Sequence, residues 1–136
     1  MTTMNRTIYI TQADMTRLRS LFESMKSSRE DLKALRGELD HANVVTSADI
    51  PPDVITMNSK AQLRDLSDDE AMTYTLVFPG KASADDGLIS ILAPIGTAML
   101  GRRVGDEFEW RVPAGLIRLR VESVLYQPEA AGHFHL

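Results

Sequence analysis

The sequence predicts an α+β protein: a short N-terminal antiparallel helical hairpin, a small coiled coil, followed by an antiparallel-sheet domain with one short helix. Three observations predict it. Met15, Leu18, Phe22 and Met25 recur at spacings of three, four and three, and Leu32, Leu35, Leu39 and Ala42 repeat the pattern, so each set lines one face of a helix. Residues 47–53, SADIPPD, end that period with two prolines. Beyond them the apolar rhythm changes, most sharply in residues 89–115. There Ile89, Ile91 and Leu92 give way to Ile95, Ala98 and Met99, and then to alternating Phe108, Trp110 and Val112.

Residues 7–10 are a brief β-prone run. Thr11 offers an N-cap with Asp14 three residues later, a variant of the capping box, so the first helix begins there. Ser27 and Ser28 stand before Glu30 and Asp31 and mark a second helix start. Folding the chain back about these serines pairs Met25 with Leu32, Phe22 with Leu35, Leu18 with Leu39 and Met15 with Ala42. Residues 11–43 therefore read as a hairpin of about four turns per arm, ~21 Å long at ~1.5 Å per residue. Its exposed tip is residues 26–31. Arms this short need support from each other or from the second domain, and Gly37 weakens its helix by up to about 1 kcal/mol. The resulting division is a hairpin over 1–45, an extended linker over 46–53 and a sheet domain over 54–136.

In the second part, residues 54–57, 62–66 and 72–78 are strand candidates; Pro79-Gly80 ends the last of them. Residues 67–70 form an acidic turn and 84–87 a loop. Gly101 suits the left-handed cap of a short helix, and Gly105-Asp106 launches a strand over 107–112. The last strand, 116–126, sets Ile117, Leu119 and Val121 on one face against Arg118, Arg120 and Glu122 on the other.

A chain of 136 residues is long enough to bury a core without disulfides, and it has no cysteine to make one. No run approaches membrane-spanning length and residues 1–15 lack the apolar core of a signal peptide, which predicts a cytoplasmic protein with no membrane partner. Residues 11–43 balance six basic against six acidic side chains, whereas from Val44 onward eight basic residues face thirteen acidic ones. That sign opposes phosphate backbones, so direct specific nucleic-acid binding is not expected.

Few residues offer chemistry. No nucleophile accompanies a paired base, and GRRVG at 101–105 lacks the spacing of a phosphate loop. His133 and His135 with Glu129 would make a metal site only if the terminus folded to bring them together; a solvated tail is the plainer reading. His41 suits a helix C-terminus. The acids Asp68, Asp69 and Glu70, and the pair Asp85 and Asp86, read as solvated turns before they read as cation sites. At the hairpin tip Glu30 and Asp31 either cap the second helix or present two carboxylates to a metal in another protein. No cofactor is expected.

Residues 89–115 resemble the C-terminal domain of the bacterial Gre transcript-cleavage factors. The motifs that carry the likeness are Ile89-Ser90-Ile91, Ala93-Pro94-Ile95-Gly96, Ala98-Met99-Leu100-Gly101, Val104-Gly105-Asp106 and Pro113-Ala114-Gly115. Residues 53–59, 64–68 and 126–132 look like the Rnk family, regulators of nucleoside diphosphate kinase, and that likeness covers nearly the whole chain.

The resemblance implies an FKBP-like C-terminal domain and RNA polymerase as partner. Gre factors seat this domain on the rim of the polymerase secondary channel and send a long coiled coil to the catalytic Mg²⁺. It further implies docking through Ala93, Pro94 and Ile95, with Leu92 where Gre factors place an acid, so that the contact is mainly apolar. The tip residues Lys26, Arg29, Glu30 and Asp31 sit on arms too short to reach the catalytic metal. The expected function is then a noncatalytic polymerase-binding regulator that competes with longer Gre-type factors. Two alternatives accompany it. One is a prolyl isomerase with Phe78, Phe108, Trp110 and Tyr126 lining an apolar pocket. The other is a homodimer that shares the stripe Met15, Leu18, Phe22 and Met25 in a four-helix bundle.

Overall fold

Strand β1 (Tyr9–Thr11) runs directly into helix α1 (Gln12–Glu23). In the computed structural model, which describes residues 8–24, 30–112 and 115–133, Thr11 caps this helix. Its backbone is extended and its Oγ1 accepts the Asp14 amide at 3.1 Å. Only half of the expected capping box forms, because the Asp14 carboxylate reaches out of the hairpin to accept the Met57 amide at 3.1 Å.

Helix α2 (Glu30–Asp40) returns beside α1, and an ion pair of 3.1 Å between Arg19 and Asp40 links the arms in the antiparallel sense. Leu18, Phe22, Leu35 and Leu39 are all buried, as their stripes predict. The first arm has 12 residues and ends at Ser24, ~18 Å at ~1.5 Å per residue, about three turns rather than four; the second has 11 described residues, ~17 Å. The second arm stops before Ala42 because the amides of His41 and Ala42 bond back only three residues, to Glu38 and Leu39. The chain then enters β2 (Asn43–Val45), which pairs in parallel with β1. The hairpin itself is the crossover that parallel pairing requires. Met25, Lys26, Ser27, Ser28 and Arg29 lie outside the described residues.

Residues 46–53 are not the extended linker that their prolines suggest. They fold as successive turns: the Asp49 amide donates to the Thr46 carbonyl and the Val54 amide to the Pro51 carbonyl. Ile50 is buried beneath them, and the Gln127 side chain donates through Nε2 to the carbonyls of both Pro51 and Val54 at 2.8 Å. A buried side chain and a clamp from the far end of the chain hold what local propensity alone would leave open.

The main sheet has the order β5-β4-β3-β7-β6, with β3 (Lys60–Asp65), β4 (Ala71–Val77), β5 (Leu88–Ser90), β6 (Glu107–Val112) and β7 (Gly115–Tyr126). Helix α3 (Pro94–Met99) is the one short helix between β5 and β6. Residues 54–57 do not form a strand. Val54 makes a single bridge to Arg103, and the following residues close a turn in which the Thr56 amide donates to Ser59 Oγ.

The sheet is mixed where an antiparallel one was expected, since β4 and β5 run parallel. The connection between them carries two short 3-10 turns, Pro79–Lys81 and Ala84–Asp86, and returns the chain to the end from which β4 started. On the inner face Ala61, Leu63, Leu76, Leu119 and Val121 are buried. The outer face is charged: register sets Arg64 directly opposite Arg120, and Glu122 accepts a 2.9 Å hydrogen bond from each. One carboxylate thus offsets a like-charge pair that would otherwise oppose the register.

Hairpin and sheet share one core. Ile8, Ile10, Leu18 and Leu35 belong to the same buried cluster as Ile55, Met57, Leu76, Met99 and Leu119. Met15, Leu18 and Phe22, three members of the stripe expected to be shared in a four-helix homodimer, are buried there instead, and Met25 lies outside the described residues. Among the described residues no helix is long and apolar enough to cross a membrane.

Candidate functional site

The corner between β5 and α3 is built from local bonds. The Ile91 amide donates to the Val77 carbonyl and holds the end of β5 on the sheet. Ser90 then organises the turn: its Oγ accepts the Leu92 amide and its carbonyl accepts the Ala93 amide, both at 3.0 Å. Thr97, buried one turn into the helix, donates its hydroxyl to the Ile91 carbonyl at 2.7 Å. Pro94 occupies the first helical position, where its missing N–H leaves nothing unsatisfied.

Gly96 permits the close approach of the turn to the helix, since a Cβ there would stand 2.1 Å from the Ser90 carbonyl oxygen. The product is a stiff corner with a small apolar cap. Pro94 is exposed, Leu92 and Ala93 are half-buried, and Ile95 points into the core at 4% exposure. Of the four residues expected to dock, three therefore reach the surface, and Ile95 supports them from below. Alternation of apolar residues could not separate these roles.

The far side of α3 packs between α2 and β6. At its end Gly101 has φ +79°, as a left-handed cap should. It also serves a purpose that no local signal reveals: a Cβ there would lie 2.5 Å from Ile8 Cβ, so the glycine lets the chain entering the hairpin cross the end of α3. The hairpin is further held by Arg17, whose guanidinium lies 4.0 Å over the Phe78 ring, and by Arg103, which pairs with Asp53 and faces the Tyr9 ring.

Asp14 keeps its backbone place in the Thr11 cap while its carboxylate takes a partner outside the hairpin. It is 2% exposed and crosses from α1 to the 55–59 turn. Thr56 in that turn donates to Glu129 at 2.7 Å and shares a hydrogen bond with Ser59. Burial above all, with the nearby charge of Glu129, pushes the Asp14 carboxyl up to about 7, against the lowering effect of the Met57 amide and Arg17. A signal was present: Asp14 precedes Leu18 by four positions and so lies on the buried stripe.

The remaining candidates do not converge. Among the described residues no group of three or more His, Cys, Asp or Glu side chains is arranged to hold a metal. Glu129 is engaged by Thr56, His133 Nδ1 lies 2.6 Å from the Tyr126 hydroxyl, and His135 is outside the described residues. Asp68 accepts the Glu70 amide and Asp86 the Ser83 hydroxyl, as turn acids do. His41 is exposed just beyond α2. Glu30 and Asp31 hold the first two described positions of α2, while Lys26 and Arg29 lie outside the described residues.

The aromatics proposed for an isomerase pocket are separately covered. Arg17 lies over Phe78 and Arg102 over Phe108, while Tyr126 meets His133 and Trp110 is packed against the core. Two surface clefts, one of about 110 Å³ between the helices at Arg19 and Arg36 and one of about 310 Å³ at Pro52, Val104 and Val124, are lined by none of the four.

The five-stranded sheet with this corner, behind a short hairpin, falls within a stretch that matches a Gre-type C-terminal domain. The family model of the transcription elongation factor GreA/GreB C-terminal domain matches residues 50–126, and that of the Rnk N-terminus matches residues 6–45. The chain is 41% identical over 132 residues to the regulator of nucleoside diphosphate kinase of Escherichia coli K12, covering 96% of this chain and 97% of that protein. A solved structure of a prokaryotic transcription elongation factor GreA/GreB from Nitrosomonas europaea is 41% identical, with a TM-score of 0.79 over 89% of this chain and 99% of that one. GreA of Clostridium acetobutylicum is 31% identical over 86 residues, and the matched part is 54% of its length. The chain belongs to the Rnk family of GreA/GreB-related transcription factors.

Proposed function

We propose that the protein is a noncatalytic regulator that binds RNA polymerase at the rim of the secondary channel and competes there with longer Gre-type factors. The observation that carries this reading is the stiff corner at Leu92, Ala93 and Pro94, set on a GreA/GreB-type domain. An exposed apolar cap on a pre-ordered turn loses little entropy when it is buried by a partner. The hairpin accounts for the absence of catalysis in this proposal: described arms of ~18 Å are too short to carry Glu30 and Asp31 along the channel. The units of this reading are the hairpin 1–45, the turn segment 46–53 and an FKBP-like domain over 54–136.

The test is a pull-down with purified core RNA polymerase, repeated with excess GreA as competitor. The wild-type chain is retained and GreA displaces it, whereas Pro94→Asp, which puts a charge on the apolar cap, weakens retention at least tenfold. Undiminished binding of Pro94→Asp, or binding that GreA does not displace, rejects the docking assignment.

A further inference from the structure

We propose that Asp14 is a proton-operated latch between the hairpin and the sheet domain, closed most tightly when its carboxyl is protonated.

Its basis is a juxtaposition. Asp14 belongs to α1, yet its carboxyl is bonded to the backbone of the 55–59 turn through Met57. That turn is itself buried and closed by Thr56 and Ser59, with Met57 at 1% and Thr56 at 1% exposure. The charged groups that face the latch are few. Arg17 comes from the same helix and Glu129 from the C-terminal segment, where it is held over the turn by the Thr56 hydroxyl. The 55–59 turn, Ile-Thr-Met-Asn-Ser, contributes no titratable side chain.

A neutral carboxyl keeps an acceptor for the Met57 amide and is inexpensive to bury. An ionised one keeps the acceptor but loses water, and faces Glu129. Burial holds the closed-state value near 7, against an ordinary value of about 3.9 once the hairpin lifts away. Opening therefore releases a proton. It becomes easier as pH rises from about 4 to about 7 and levels off above that.

Hydrogen exchange of the intact chain, corrected for intrinsic rates, reads the latch directly. From pH 5 to pH 8 protection of the Met57 amide and of α1 should fall at least tenfold relative to β3 and β7. Asp14→Asn keeps the acceptor and cannot ionise, so its protection at these amides should be independent of pH. Carboxyl ¹³C titration of Asp14 in the folded chain supplies the second readout. A midpoint between 6 and 8 supports the latch, and one below 5 overturns it. An Asp14→Asn variant that shows the wild-type pH dependence overturns it as well.

Discussion

Glycine positions show how much a single side chain decides in this chain. Gly96 has the Ser90 carbonyl where its Cβ would be, and a backbone oxygen fixed by the Ala93 amide cannot retreat cheaply. Gly96→Ala should destabilise the protein by about 1–3 kcal/mol in urea unfolding, the cost of overpacking a closed site. Gly37 is the opposite case: it is exposed, helical and has open space around the site of a Cβ. Gly37→Ala should raise stability by about 0.5–1 kcal/mol in the same measurement.

Asp14 adds a pH term with a defined sign. Its folded value near 7 lies above its unfolded value, so its stabilising protonation is complete below about pH 4 and lost as pH rises through 7. The difference in unfolding free energy between wild type and Asp14→Asn should therefore move in favour of the variant from pH 5 to pH 8.

Among elements, α1 was readable because its cap and its stripe are local. Thr11 caps as its residue type requires, and Thr11→Ala should cost about 1 kcal/mol in thermal unfolding. The strands 107–112 and 116–126 were equally legible, for alternation is a property of adjacent residues; the observed strands are Glu107–Val112 and Gly115–Tyr126. Residues 54–57 misled because β-branched composition says nothing about whether a partner strand is within reach. They sit where Gln127 and Asp14 take their backbone groups, and a buried turn results. The parallel pairing of β4 with β5 was hidden for a related reason. It depends on how the 3-10 turns Pro79–Lys81 and Ala84–Asp86 redirect the chain.

At the scale of the molecule, hairpin and sheet form one hydrophobic cluster, and this has a cooperative consequence. Leu35 is 1% exposed in the hairpin, while Trp110 sits on β6 of the sheet. Leu35→Ala should cost about 2–5 kcal/mol. Loss of helical ellipticity and change of Trp110 fluorescence should still share one lowered midpoint. A sheet signal that stays at the wild-type midpoint would show that the two parts unfold separately.

Residue spacing and type alone determined the two helices, the short helix before the Gly101 cap, the strands at 107–112 and 116–126 and, through shared motifs, the family. These follow from periodicities and caps that act within a few residues of chain. Tertiary structure decided which side of each candidate reached solvent, so that Ile95 became support and Pro94 the exposed cap. It also sent the Asp14 carboxylate, whose own amide stays in the helix cap, to a turn 43 residues away, and folded the proline segment under Gln127. Burial and long-range hydrogen bonds make those choices, because the free energy of a polar group depends on what surrounds it once the chain has closed.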